Sequence, residues 1–317
     1  MRLNKILRKL RLSELKRAVK GAIRRFLLGR MFERFERLGI HVLPVHFYSP
    51  VPDTRELRRD LSKWYREGSF IGVDFNMGEQ IQLLDKLRAY HSEYDNLPPY
   101  EKVRMRGFGE GYGEVEAHIL HAMVRHLKSS NVIEVGSGIS TFFTVNALSL
   151  NKKSDNIGSK ILCVDPYPRR EINEIKGDCQ IEMISRPVQE ISAEVFEVLN
   201  KGDILFIDSS HIVKINSDVN YLYFEVLPRL NEGVVIHIHD IPFPYPTPDP
   251  EHWVFRKHQF WTEAALVQAF LMYNTAFKIL LSSSYLHYKA PDALKSAFSV
   301  YDHERHFPAS LWLQKVS

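Results

Sequence analysis

Between residues 132 and 238, five short apolar runs alternate with stretches of helical character. The runs are Val132–Val135, Ile161–Val164, Gln180–Ile184, Asp203–Ile207 and Val234–Ile238. Continuous apolar strands separated by helices are typical of βαβ units, whose parallel strands are buried on both faces. We therefore expect an α/β fold with a mainly parallel sheet and helices on both faces, with helices at 140–150, 188–200 and 217–230 between the strands.

The N-terminal region differs from the rest in charge. Residues 1–30 hold eleven Lys and Arg residues against the single acid Glu14, a net charge of +10. Because the whole chain carries +4, the other residues carry −6, which disfavours a nucleic-acid partner. Apolar residues recur in this tail at three- and four-residue steps and predict a basic amphipathic helix. Such a helix suits an anionic membrane surface, a partner protein or its own domain.

Three regions are expected along the chain: the basic helix of 1–30, a helical and extended cap region of 31–106, and a main domain of 107–317. Prolines predict an extended segment at 39–52, and helices are expected at 53–67 and 77–94. A glycine cluster at 107–113 precedes a helix expected at 114–127. Glycines in such number allow close backbone approach to a ligand, or mobility.

Cysteine content and hydropathy bear on localisation. No run of eighteen apolar residues occurs, and the basic tail lacks the features of a signal peptide. The two cysteines, Cys163 and Cys179, are too few for a disulfide framework. We expect a cytoplasmic protein, with peripheral membrane contact through residues 1–30 left open.

A glycine turn follows the first predicted strand. Gly136 and Gly138 permit a tight turn and close approach of a ligand, and Ser140 or Thr141 can cap the helix that follows. A nicotinamide site prefers a third glycine where this chain has Thr141, which disfavours an NAD(P)-dependent oxidoreductase. The pattern Glu-x-Gly-x-Gly from Glu134 instead resembles the nucleotide loop of class I methyltransferases.

Polar side chains follow the other predicted strands, at the sheet edge where ligands bind in open α/β folds. Asp165 ends the second strand, where a carboxylate can accept both hydroxyls of a ribose. Two acids and two imidazoles should meet after the fourth and fifth strands: Asp208, His211, His239 and Asp240. His211 and His239 are candidate bases, because an imidazole titrates near neutral pH.

Longer motifs carry a family resemblance. Residues 133–141, 203–211, 217–220, 225–230 and 237–241, together with 260–274, look like the family-24 type of class I methyltransferase domain. The resemblance spans about 107–285 and implies a Rossmann-like fold with S-adenosylmethionine as cofactor. It implies cofactor contacts from Glu134, Gly136, Ser137, Gly138, Ser140, Thr141, Asp165, Val188, Gln189 and Asp208. The methionine part would lie near Glu134, Gly136 and Ser140, and the adenine beside Val188 and Gln189. Ser140 departs from the family's usual third glycine.

The clustered acids and imidazoles favour methylation of an oxygen, and the resemblance implies that the acceptor is a saccharide or natural-product hydroxyl. Asp208, His211, His239 and Asp240 are the candidate catalytic residues. Any divalent metal would be held by Asp208, His239 and Asp240, although a metal is not favoured. The proline-rich residues 241–250 suggest a lid or a substrate wall. Two alternatives remain: an NAD(P)-dependent Rossmann oxidoreductase, and a non-catalytic scaffold with the cofactor fold, tethered by its basic N-terminal helix.

Overall fold

The computed structural model describes residues 14–16, 18–23, 25, 26, 29 and 31–317, in two units, 1–64 and 65–317. The amphipathic helix expected at 1–30 lies largely outside the described residues, although 14–16, 18–23 and 25–26 are helical. The first unit also contains the helices α1 (Phe32–Glu36), α2 (Thr54–Arg59) and α3 (Leu61–Trp64). Among the described residues, no helix is both long enough and apolar enough to cross a bilayer.

The second unit is built on one seven-stranded sheet. Its strands are β1 (Asn131–Val135), β2 (Lys160–Val164), β3 (Gln180–Ile184), β4 (Ile204–Ile207), β5 (Val235–Ile238), β6 (Phe277–Ser282) and β7 (Leu311–Lys315). The spatial order is β3-β2-β1-β4-β5-β7-β6, and only β7 runs antiparallel to its two neighbours. All five predicted strands are present, and β6 and β7 extend the sheet beyond them. The expectation of a Rossmann-like α/β fold is confirmed.

The central strands are buried on both faces, as their continuous apolar runs predict. Along β4, Phe206 packs into the core on one face, while Leu205 and Ile207 pack into the core on the other. All three are at most 1% exposed. Because the strands are parallel, the carboxyl ends of β1, β2, β4 and β5 lie along one edge, and the polar residues that follow them are brought together there.

Helices cover the two faces of the sheet. They are α4 (Met77–Leu87), α5 (His91–Tyr94), α6 (Tyr100–Arg104), α7 (Glu114–Leu127), α8 (Ile139–Asp155), α9 (Asp218–Tyr221), α10 (Glu263–Leu271), α11 (Ser283–Lys289) and α12 (Pro291–Ala297). The helices expected at 114–127 and 140–150 are confirmed as α7 and α8. The expected helix at 77–94 forms as α4 and α5 with a 3-10 turn between them, and that at 53–67 as α2 and α3.

The prediction of a helix at 188–200 is wrong. The chain forms two 3-10 turns, Val188–Glu190 and Ala193–Val198, separated by extended backbone at Ile191 and Ser192. This break lets Ile191 join the buried cluster on the sheet, and a regular helix would lose that contact. The segment expected as a helix at 217–230 begins as α9, widens into a π-turn and ends as 3-10 at Leu227–Arg229, where Pro228 has no N–H to donate.

Candidate functional site

The glycine turn after β1 is required by a close backbone approach. Gly136 has φ +93°, and a Cβ atom there would lie 2.9 Å from the carbonyl oxygen of Asp208. The backbone N–H of Gly138 donates to Oγ1 of Thr141 at 2.9 Å, so Thr141 helps to close the first turn of α8. The two strand ends β1 and β4 are thus held together at Gly136 with no room for a larger residue.

Glu134 lies beneath this turn. Its side chain is fully buried, and Oε1 accepts a hydrogen bond from the hydroxyl of Ser140 at 2.5 Å. Burial raises the pKa of Glu134 to about 8, although the hydrogen bonds from Ser140 and Thr141 act in the opposite sense. Glu134, Ser140 and Thr141 therefore support the turn from below.

A first cavity of about 470 Å³ opens beyond the ends of β1, β2 and β4. Of the residues expected to bind the cofactor, those that line it are Gly136, Asp165, Val188, Gln189 and Asp208. Asp165 is oriented at its rim: one carboxylate oxygen accepts from the hydroxyl of Ser137 at 2.6 Å, and the other from the backbone N–H of Tyr167 at 2.8 Å. The lining combines a fixed carboxylate with the buried side chain of Val188.

Asp208, His211, His239 and Asp240 meet at the ends of β4 and β5, and we call these four residues the tip cluster. Oδ1 of Asp208 lies 3.5 Å from Nε2 of His211 and 3.4 Å from Nδ1 of His239. Oδ2 of Asp240 lies 3.6 Å from each of the same two nitrogens. His211 and Asp240 both adopt positive φ, 60° and 56°, a backbone conformation that is uncommon for residues other than glycine.

Two further acids complete the cluster. Glu263, on the first turn of α10, accepts from the hydroxyl of Ser209 at 2.7 Å and pairs with Nδ1 of His211 at 2.8 Å. Glu116, on α7, lies 3.3 Å from Nε2 of His239. Both carboxylates are at least 95% buried. Neither was singled out from the sequence, although an acid within an otherwise apolar helix face, as at Glu116, is a signal that could have revealed it.

The electrostatics of the cluster favour charged imidazoles. Burial by itself would lower the pKa of His211, but hydrogen bonding to Asp208 and Glu263 raises it to about 10. The pKa of His239 is likewise raised, because Asp240 and Glu116 outweigh burial. Burial would raise the pKa of Asp208, but His239 and His211 hold it well below its usual range. Burial raises the pKa of Asp240 despite the same two imidazoles.

His237 lies two residues before His239 and differs from it in its surroundings and its pKa. Its ring stacks on Trp312 at 4.1 Å and on Phe206 at 4.3 Å, and it is fully buried. Burial holds its pKa well below the usual range. Neither of its ring nitrogens has a hydrogen-bond partner among the described residues. His237 is therefore a neutral core residue on the same face as His239.

A second cavity, of about 530 Å³, borders the tip cluster at Asp240. It is bounded by the end of the glycine-rich loop at 111–113, by Pro248 and Asp249 of the proline-rich loop, and by the π-turn Glu251–Arg256 that follows. Asp240 and Glu116 form its inner wall. The proline-rich loop thus borders a cavity, which agrees with its expected place as a wall.

The donor set of the tip cluster fits a cation. Asp208, His211 and His239 each offer one ligand atom, all within 4.8 Å of one another. Neither ring nitrogen of His239 makes an aligned hydrogen bond among the described residues, although three carboxylates lie within ion-pair distance. This set has His211 where the sequence suggested Asp240. Two imidazoles and one carboxylate suit a transition ion better than magnesium.

Comparison with known proteins relates this chain to a family. A methyltransferase-domain model, that of family 24, matches residues 133–241. An uncharacterized protein of Archaeoglobus fulgidus is 30% identical over 171 residues, which cover 51% of this chain and 75% of that protein.

Solved structures show more distant likenesses. An O-methyltransferase from Bacillus cereus, solved in complex with SAH, is 11% identical, with 74% of this chain and 90% of that chain covered and a TM-score of 0.37. A SAM-dependent methyltransferase from Anabaena variabilis is 12% identical, with 80% and 100% covered and a TM-score of 0.34. The resemblance seen in the sequence is confirmed by the family model: this chain belongs to the class I methyltransferase-domain family 24.

Proposed function

We propose that this protein is an S-adenosylmethionine-dependent methyltransferase that methylates a hydroxyl of a saccharide or natural-product acceptor. One observation carries the proposal: the tip cluster borders two cavities, with Asp208 lining the first and Asp240 lining the second. A methyl donor in the first cavity and an acceptor in the second would meet at the cluster. Methyl transfer is an in-line displacement, and such an arrangement aligns the two reactants.

The first cavity suits the donor in shape and chemistry. The carboxylate of Asp165 is positioned to accept hydrogen bonds from the ribose hydroxyls, and Val188 offers an apolar surface to the adenine. Gln189 lines the same wall and can bond the edge of the base. The backbone around Gly136 allows the methionine part to approach closely. The sulfonium would then lie near Asp208, whose negative charge favours a cation.

Removal of the acceptor proton falls to Asp240 in this proposal. With a pKa of about 10, the imidazole of His211 holds a proton at neutral pH and is a poor base in the resting enzyme. Asp240 is the carboxylate of the tip cluster that faces the second cavity. As the acceptor oxygen attacks the methyl carbon, the carbon–sulfur electrons return to sulfur and the hydroxyl proton passes to Asp240. The protonated His239 stabilises the negative charge around this transfer.

A bound cation would compete with these protons. If a metal occupied Asp208, His211 and His239, it would supply Lewis-acid activation of the acceptor hydroxyl. The protonated and the metal-bound cluster are distinguished by EDTA dialysis. Turnover and S-adenosylhomocysteine binding, the latter by calorimetry, are measured on the dialysed protein. Unchanged turnover supports the proton-carrying cluster, whereas loss of turnover that is restored by one divalent ion supports the metal.

Turnover tests the proposal as a whole. The full chain is incubated with methyl-labelled S-adenosylmethionine and a panel of saccharides and hydroxylated small molecules. We expect label in an acceptor with wild type, strong loss with Asp240→Asn, and no loss with Asp178→Asn, an exposed acid paired with Lys153. Asp240→Asn should still bind S-adenosylhomocysteine. Full turnover by Asp240→Asn would contradict its assigned role, and reduction of a substrate with NADH would support the oxidoreductase alternative instead.

A second candidate role concerns the N-terminal unit, which we propose contacts an anionic membrane surface. Leu15, Val19, Ile23 and Phe26 are each 50–62% exposed, and their spacing places them on one side of a helix. The many basic residues of this tail suit acidic lipids. Flotation of the full chain with phosphatidylserine vesicles should exceed that with neutral vesicles, and Val19→Asp with Ile23→Asp should abolish it. Equal behaviour with both vesicle types would contradict the proposal.

A further inference from the structure

The second cavity has a wall of one charge sign. Three carboxylates line it, those of Glu116, Asp240 and Asp249, together with His252. Among the described residues that line it, none is Lys or Arg. Lys257 lies near Trp253, 4.6 Å from the ring centroid, but it is not part of the lining. An anionic group in this cavity would therefore meet three carboxylates, with no Lys or Arg in the lining to pair with it.

The three acids differ in how many hydrogen bonds and ion pairs they already make. Oε1 of Glu116 accepts from the backbone N–H of Ala309 at 3.0 Å and from the hydroxyl of Ser310 at 2.8 Å, and its Oε2 accepts from Gly113 N–H at 3.2 Å. Asp240 is shared between the two imidazoles of the tip cluster. Within the described part of the chain, the Asp249 carboxylate accepts a single hydrogen bond, from the N–H of Glu251 to Oδ1 at 2.9 Å. Asp249 therefore has the most capacity left for a ligand.

A buried imidazole lies behind the inner wall. His239 is 1% exposed, and neither ring nitrogen makes an aligned hydrogen bond among the described residues. Its ring lies between Glu116 and Asp240, the two acids of that wall. Asp240 does line the cavity, and its carboxylate accepts no hydrogen bond from any described residue, so a ligand hydroxyl at the inner wall can donate one to it.

Aromatic side chains supply the remaining walls. Tyr112, Trp253 and Phe307 line the cavity, and Trp253 is packed against Trp261 with ring centroids 4.7 Å apart. Aromatic faces pack against the C–H faces of a sugar ring and attract an ammonium group. A volume of about 530 Å³ is within the range of small-molecule pockets.

We propose, resting on the function proposed above, that the second cavity takes a saccharide-sized acceptor bearing an ammonium group, which pairs with Asp249. A hydroxyl of the same molecule reaches Asp240. Acceptors with a carboxylate, phosphate or nucleotide are rejected, because they would lie unpaired against Glu116, Asp240 and Asp249.

Three matched probes test this inference: methyl glucosaminide, methyl glucoside and methyl glucuronide. Each is titrated by calorimetry and by tryptophan fluorescence into the full chain saturated with S-adenosylhomocysteine. We expect the amino sugar to bind about two- to fivefold more tightly than the neutral sugar, since Asp249 is exposed and an ion pair at an exposed carboxylate contributes up to about 1 kcal/mol. The uronide should bind most weakly.

Two variants localise the effect. Asp249→Asn should remove the preference for the amino sugar over the neutral sugar and reduce the difference in Kd between the amino sugar and the uronide. Asp178→Asn should leave the order of the three Kd values unchanged. Binding of the uronide as tightly as the amino sugar, or binding of none of the probes, overturns the inference. S-adenosylhomocysteine binding in the same samples is the separate readout: if it is intact, only the acceptor class is wrong, and if it is absent, the proposed function fails as well.

Discussion

Removal of the Asp165 carboxylate should weaken cofactor binding without unfolding the protein. A carboxylate offers about four lone-pair sites. Ser137 and Tyr167 each use one, on different oxygens, so one site on each oxygen remains for the two ribose hydroxyls. A hydrogen bond to a charged acceptor contributes about 1.5–3 kcal/mol. Loss of two such bonds in Asp165→Ala should cost about 3–6 kcal/mol, which is at least about 100-fold in Kd.

The assay is calorimetric titration of S-adenosylhomocysteine into wild type and variants, with thermal unfolding measured on the same samples. Ser137→Ala keeps the carboxylate but removes one of its two orienting bonds, so we expect an intermediate loss of about tenfold. Asp178→Asn serves as the control, because its exposed ion pair with Lys153 lies away from the cavity. A Kd for Asp165→Ala within a few-fold of wild type would refute the ribose assignment.

Other predictions concern stability and are checked by urea unfolding. Gly136→Ala should cost about 1–3 kcal/mol, because its Cβ would lie 2.9 Å from the carbonyl oxygen of Asp208 at φ +93°; an unchanged midpoint would contradict the close approach. The pKa of Glu93 is lowered to about 2, since hydrogen bonds to His121 and Arg125 outweigh burial. Its contribution is therefore complete above the unfolded pKa of about 4.3 and is lost as pH falls toward 2. Between pH 5 and pH 2, the free energy of unfolding of Glu93→Gln should fall less than that of wild type, by up to about 3 kcal/mol. The same pH dependence in both proteins would show that the contacts of Glu93 with His121 and Arg125 do not contribute to stability. His237→Phe should raise stability by removing two buried nitrogens without partners, whereas a lower midpoint would reveal a role for that ring.

The sheet and the position of the site could be predicted because they depend on local patterns. Apolar runs identify parallel strands, and the residues that follow them must share an edge. The meeting of Asp208, His211, His239 and Asp240 follows from that rule. Strands β6 and β7 were not predicted, since β7 pairs with β5 across a long stretch of chain and β6 pairs in turn with β7.

The partners of the tip cluster could not be found in the same way. Glu116 and Glu263 reach the imidazoles only through the packing of α7 and α10 against the sheet, which no spacing in the sequence encodes. Their effect on chemistry is large, because they help to raise the pKa values of His239 and His211. The imidazoles thereby change from candidate bases into candidate cations. Likewise, helix periodicity at 188–200 gave way to the burial of Ile191.

Cofactor choice is the most direct test of the central claim, because it needs no knowledge of the acceptor. The full chain is titrated in parallel with S-adenosylhomocysteine and with NAD in a calorimeter, with and without prior EDTA dialysis. We predict saturable binding of S-adenosylhomocysteine at one site per chain in both preparations, and no heat from NAD. Binding of NAD, or no binding of S-adenosylhomocysteine by the folded protein, would contradict the account.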